Sequence, residues 1–317
     1  MYPTDPYTIE DFHPAPMGEL TNTGKNRAYS VGLTLRKTYD EFLGDYYSPQ
    51  EVKAISSPFS RCMDSVVLMV NAIFPATGSQ KWRYDVEWHP ISYEYNSAND
   101  KIFLVYKHCP NFRTFQDERL NSEETKHAFE KLEDVIAYLR QKTGDFREKY
   151  VFAYKTYSTL LAETELGLTV PEWASTLFPE TLADIAKVEV EQMYKGKNRV
   201  LGAAHFMQKL INDTILMLDD EPEVRGRKLY MYCGHDMNII AILSWLDVYM
   251  AHLPNYGAYL VFEIHEVLNN HYIKILYENN DGRSAREIYI PHCGVICRFD
   301  EFIALYKHKL IADDLCG

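Results

Sequence analysis

In the stretch KLYMYCGHDMNIIAIL, Lys228 to Leu243, a histidine and an aspartate stand side by side, His235 and Asp236, where a short apolar run gives way to helical spacing. A second junction of the same kind is SSPFSR, in which Arg61 follows a strand-like segment and opens a helical one. The three side chains have complementary chemistry. A guanidinium gives two parallel charge-assisted hydrogen bonds to an oxyanion, and an imidazole gives another. A carboxyl kept protonated beside a bound anion can donate to a leaving alcohol oxygen and then take a proton from incoming water. Unpaired N–H groups and the positive dipole end of a helix start favour the same anion. Such a site takes a phosphate-like group and works best at acid pH. Singly, each residue has a plainer use: Asp236 as a helix cap, His235 as a satisfied core or cap histidine, Arg61 as a surface helix residue.

Bringing these residues together needs particular elements. From Gly24 to Gly44, Ala28, Val31, Leu35, Tyr39 and Phe42 recur at helical spacing, and Gly44 is a stop signal. Val52 to Ser57 reads as a strand, Pro58 as a turn, and RCMDSVVLMVNAIFP as a helix ending at Pro75. Another helix runs through VLGAAHFMQKLINDTILML, after which strand-like runs return at Leu229 to Cys233, Tyr259 to Ile264, Tyr272 to Tyr277 and Glu287 to Ile290. Arg61 and the His235–Asp236 pair therefore occupy equivalent places, past the carboxyl ends of strands in an α/β sheet, where ligand sites form. The middle, roughly Tyr84 to Lys197, differs: it holds charged helices such as SEETKHAFEKLEDVIAYLRQKTG and a Pro-Glu-Trp helix start at Pro171. The expected organisation is an α/β domain from 1–84 and 198–317 with a mostly helical insertion over 85–197. No internal repeat is visible.

Composition sets the outer limits. At 317 residues, 46% hydrophobic and 25% charged, the chain can bury a substantial core, and intrinsic disorder is not the expected state. A formal net charge of -12 repels a phosphate backbone and an anionic membrane surface, so nucleic acid and peripheral membrane binding are not expected. A small anion in one cationic pocket remains compatible with it. The 24 tyrosines are scattered rather than gathered into a stacking platform. MYPTDPYTIEDFHPAPMGEL has neither a basic region nor an apolar stretch of signal-peptide length, and no window elsewhere is long enough to span a bilayer. Read literally, that places the product in the cytosol. Six cysteines and an N-x-T sequon at Asn212 point instead to a secretory chain. Cys293 and Cys297 are close enough in sequence for a local disulfide, and Cys109 and Cys316 are candidates for a long-range pair. Zinc is the other use of such cysteines, but no second CxxC or HxxxH pair completes four ligands. His13, His89, His108, His205, His265 and His292 show no metal spacing, and the pair Asp219 and Asp220 reads as a solvated loop. No metal or cofactor is expected.

The motifs in their order resemble the histidine acid phosphatases, in the branch with the prostatic, lysosomal and insect venom acid phosphatases. MGELTNTGKNRAYSVGLTLRKTYDEFL resembles that family's GELT-x-x-G helix, and SSPFSR its strand ending in a phosphate-binding arginine, which falls on Arg61. CGHDMNIIAIL resembles its His-Asp signature, which places the phosphate-binding histidine on His235 and the proton donor on Asp236. LPNYGAYLVFEIHE and CGVICRFDEFIAL resemble downstream landmarks, including a paired CxxxC. The resemblance covers nearly the whole chain. It implies a phosphoglycerate mutase-like three-layer α/β sandwich with an inserted helical domain, and hydrolysis of a small phosphate monoester or a phosphorylated protein through a phosphohistidine intermediate. It also implies a secreted or lysosomal location, no cofactor, and room for a homodimer.

Several positions depart from the family pattern. Its nucleophilic histidine lies in an RHGxRxP motif upstream of YPTDPY, and no RHG occurs anywhere here. His13, in DFHPAPMGELT, matches the segment after that motif and is no substitute. The first sheet strand and two further phosphate-binding arginines go with the motif. The family's RSTDxxR reads ISSPFSR, with Ile55 at the first arginine position and Pro58 at the aspartate position. Cys62 and Met237 stand where threonine is usual, and Tyr259 where the family often has a disulfide cysteine, leaving Cys62 and Cys233 unassigned. The chain as written is expected to be inactive or nearly so. Either it derives from a longer product, which the unpaired edges left by a lost central strand favour, or it is a secreted pseudophosphatase that binds a phosphorylated ligand or partner.

Overall fold

A computed structural model describes residues 1–148 and 151–317. In chain order, α1 (Asn22–Leu43), β1 (Val52–Ser56), α2 (Ser60–Ile73) and β2 (Tyr93–Glu94) come first. Then follow α3 (Val105–His108), α4 (Pro110–Leu120), α5 (Glu123–Glu130), α6 (Glu133–Thr143), α7 (Phe152–Glu165), α8 (Glu180–Met193) and α9 (Asn198–Leu218). The remainder is β3 (Leu229–Cys233), α10 (Asp236–Trp245), β4 (Tyr259–Val267), β5 (Asn270–Glu278), β6 (Arg286–Glu287), β7 (Ile296–Arg298), α11 (Phe299–Tyr306) and α12 (Ala312–Cys316). The fold is thus mixed α/β with a parallel sheet and many helices. No helix among the described residues is long and apolar enough to cross a membrane.

Two compact units divide the chain. One comprises Gly18–Leu104 and Phe206–His235, the other Met1–Met17, Val105–His205 and Asp236–Gly317. The first unit holds a parallel sheet in the order β2-β1-β3, with β1 at its centre. Along β1 and β3 the register runs from Val52 opposite Leu229 to Ser56 opposite Cys233, so the two strands end level with each other. One face of α2 builds the core beside them: Cys62, Val66, Val70 and Ile73 recur at helical spacing and are all buried. Val66, Val70 and Ile73 pack with Leu43, Val52, Ala54, Phe74 and Met231, an apolar cluster that removes this helix face from water.

Helix α1 packs on α2, and Gly32 makes that approach close. A methyl at Gly32 would lie 2.5 Å from the Met69 carbonyl oxygen and 2.6 Å from the Ala72 side chain. The Thr21 hydroxyl caps α1 by accepting the Gly24 N–H at 3.0 Å, and Gly44 ends it at φ 73°. The helix therefore starts two residues before the expected Gly24. Its core side also shifts from the expected stripe, because non-helical angles at Tyr39 rotate the last turn and bury Leu43 while Phe42 is 58% exposed.

In the second unit, α7 packs with α8 over Leu139, Phe152, Leu160, Leu182 and Ile185. The charged stretch expected as a long helix is two shorter ones, α5 and α6, broken at Lys131 and Leu132. The Pro171 start opens only a 3-10 turn, Glu172–Ala174. Strands β4, β5 and β6 form an antiparallel sheet, with β7 also pairing β5. Both candidate disulfides are formed here, Cys109–Cys316 with Cα atoms 4.7 Å apart and Cys293–Cys297 at 5.2 Å.

Candidate functional site

The level ends of β1 and β3 place two loops side by side. Past β1, the Ser57 N–H donates to the Cys233 carbonyl at 2.9 Å, tying the first residue after one strand to the last residue of the other. The Ser57 side chain, fully buried, reaches the His235 Nε2 at 2.9 Å. Its hydroxyl suits either ring tautomer, because it can donate to a bare Nε2 or accept from a protonated one. Strand pairing thus fixes the imidazole through one hydrogen bond.

Phe59 is the shelf on which the Arg61 and His235 side chains meet. The Arg61 guanidinium lies 4.5 Å from the centre of its ring, and the His235 ring meets it edge to face at 5.3 Å. Arg61 is also held from the other side: its Nη1 donates to the Gly18 carbonyl at 3.4 Å. The neighbouring Glu19 carboxylate accepts from the Ser60 hydroxyl at the start of α2. Gly18 and Glu19 belong to the MGELT motif, so that motif positions the arginine helix as well as capping α1. Burial, and secondly the charge of Arg61, push the His235 pKa down to about 4. The ligand-free imidazole is therefore neutral at pH 7. A bound dianion would offset the Arg61 charge and shift the imidazole towards its protonated form.

Asp236, the next residue in the chain, is the first residue of α10 and belongs to the second unit. One carboxylate oxygen accepts the Met237 N–H at 2.9 Å, and the other accepts the Tyr154 hydroxyl. Tyr154 sits in the first turn of α7, where the buried Glu189 carboxylate accepts its N–H at 2.8 Å and that of Ala153 at 3.0 Å. Burial raises the Glu189 pKa to about 7, against the two backbone donors that favour its charged form. Burial first, and then Asp236, push the Tyr154 hydroxyl well above its ordinary value, so it remains a donor. The chain Glu189, α7, Tyr154, Asp236 fixes the orientation of the carboxylate. Neither Tyr154 nor Glu189 stands out in the sequence.

The other expected residues fall as follows. At the position where the family pattern has its first arginine, Ile55 is 7% exposed and packed with Phe103 and Leu104. His13 is exposed on the N-terminal segment. Among the described residues, one set of metal-type donors, Cys109, His205 and Cys316, lies within 4.8 Å. Its two sulfurs are joined to each other, so it offers no thiolate to an ion.

Comparison with known proteins gives this geometry a context. The family described as histidine phosphatase superfamily (branch 2) matches residues 2–278. The venom acid phosphatase Acph-1 of Apis mellifera is 33% identical over 99% of this chain and 81% of its own length. The prostatic acid phosphatase of Bos taurus is 28% identical over 98% of this chain and 81% of its length. Among solved structures, the phytase of Citrobacter braakii superposes with a TM-score of 0.67 at 15% identity, covering 100% of this chain and 93% of that one.

Proposed function

The chain belongs to branch 2 of the histidine phosphatase superfamily, and on that premise we propose that it is by descent an acid phosphatase-type phosphomonoester hydrolase. In this reading Arg61 and His235 bind the phosphate group and Asp236 is the general acid. The observation that carries it is the meeting of Arg61 and His235 on Phe59, at the level ends of two parallel strands. A guanidinium next to an imidazole kept neutral by burial is an arrangement that gains from an oxyanion twice, through charge-assisted hydrogen bonds and through proton uptake. An anion that takes a hydrogen bond from Nε2 replaces the one to Ser57. Asp236, oriented by Tyr154, supplies a proton to the leaving alcohol oxygen. The substrate class is a small phosphate monoester or a phosphorylated protein. The domain over 85–197 is proposed as a helical insertion, and the venom, prostatic and lysosomal relatives support a secreted or lysosomal setting.

Hydrolysis through a phosphohistidine needs an attacking histidine, and residues 1–317 contain no RHG motif. Phosphate monoesters hydrolyse so slowly unaided that binding and acid residues without a nucleophile give little turnover. Residues 1–317 alone are therefore proposed to bind the phosphate group without turning it over. Ile55 and Pro58, which replace charged residues of the family pattern, favour a second reading as a non-catalytic binder of a phosphorylated ligand or partner. The purified chain should be given an aryl phosphate at about pH 5, within the acid range in which a site of this kind is expected to work. No release above the buffer rate is expected. Turnover that disappears in Asp236→Asn would contradict the proposed inactivity of residues 1–317.

A further inference from the structure

We propose that Cys62 and Cys233 form a third disulfide, which clamps the start of the arginine-bearing helix to the end of the strand that leads into His235. Both thiols are free in this structure, and both lie in the first unit. Cys62 heads the buried stripe of α2 and is 4% exposed, so its side chain points at the sheet rather than at solvent. Its Sγ lies 3.4 Å from the Gly234 carbonyl, the residue after Cys233, and each thiol shifts the pKa of the other. Cys233 cannot drift from this place, because it is the last register position of β3 opposite Ser56 and its carbonyl takes the Ser57 N–H.

The chemistry of the pair is asymmetric in a way that suits closure. The neighbouring Cys233 and the nearby Arg61 lower the Cys62 pKa, while Cys62 and burial raise that of Cys233. Cys62 is the more readily ionised of the two sulfurs, and it reacts when the first turn of α2 opens locally to solvent. Its thiolate attacks one sulfur of a small aliphatic disulfide such as oxidised glutathione, forming a mixed disulfide and releasing one thiolate. Cys233 then loses its proton and attacks the Cys62 sulfur, and the second thiolate leaves. Two protein thiols are oxidised and one small disulfide is reduced to two thiols. Surroundings that oxidise the Cys109–Cys316 and Cys293–Cys297 pairs supply this oxidant class. The inference rests on the thiol geometry and holds whether or not the chain hydrolyses a phosphate ester.

The test uses the full chain as isolated. It is equilibrated with oxidised glutathione at neutral pH, quenched in acid, alkylated, digested without reduction and examined by mass spectrometry. A peptide linked through Cys62 and Cys233 should become the main form, with alkylation lost at both positions together. In concentrated urea, with the other two bonds kept intact, its yield should fall roughly tenfold or more, because the native fold supplies the alignment. Three results would overturn the proposal: both cysteines still alkylated, a lasting glutathione adduct on either one, or equal yields of the linked peptide with and without urea.

Discussion

Replacing His235 with glutamine should remove an acid-labile share of the protein's stability. In the folded chain burial, and then Arg61, hold the His235 pKa at about 4, against about 6.5 in an unfolded chain. As pH falls through the unfolded value, unfolding takes up a proton that the native state refuses, so stability falls with pH. The loss stops growing once the folded pKa is passed. At pH 7 it is small, at pH 5 the gap makes it about 2 kcal/mol, and below pH 4 it reaches roughly 3 kcal/mol. Unfolding entropy scales with length, so for 317 residues a change of about 2 kcal/mol moves the thermal midpoint by about 3 °C. Burial also lowers the pKa values of His89 and His252, so the quantity to read is the difference between two proteins. Scanning calorimetry of the wild type and His235→Gln, without phosphate, should show the variant losing about 3 °C less between pH 7 and pH 5. Equal losses in both would refute the reasoning, because His235 would then titrate alike in the folded and unfolded states.

Other changes test the supporting structure. Gly32→Ala places a methyl against the Met69 backbone and the Ala72 side chain, and should cost about 1–3 kcal/mol in urea unfolding. Tyr154→Phe removes the hydroxyl that donates to Asp236; a double-mutant cycle with Asp236→Ala should show coupling of about 1.5 kcal/mol or more, and simple additivity would mean that the contact contributes nothing. Cys109→Ser opens a bridge between residues 207 apart, and should lower stability by about 2–5 kcal/mol in the same assay.

Much of the first unit was legible because its signals are local. The Val52 to Ser57 strand, the turn at Pro58 and the apolar stripe of α2 follow from spacing alone, and they place Arg61 where the structure has it. Gly44 ends α1 as expected, but the buried residue of its last turn is Leu43 rather than Phe42, because periodicity assumes an unbroken helix and Tyr39 breaks it. The division of SEETKHAFEKLEDVIAYLRQKTG at Lys131 and Leu132 carries no Gly or Pro to announce it. Site residues that depend on distant partners were invisible. Tyr154 meets Asp236 across 82 residues, and Glu189 meets the α7 start across 35 or 36. A buried glutamate in VEVEQM reads like any exposed one on a charged helix. Phe59 as a shelf for Arg61 and His235 likewise needs the β1–β3 register, which sequence spacing does not contain.

Calorimetric titration with sulfate tests the central claim most directly, because sulfate resembles a phosphate dianion and keeps its charge between pH 7 and pH 5. Binding should be tighter at pH 5, through proton uptake by His235, and that pH dependence should vanish in His235→Gln. Arg61→Met should weaken binding about tenfold or more at either pH. Sulfate bound equally well by the wild type, Arg61→Met and His235→Gln would contradict the claim that these two side chains form one oxyanion site.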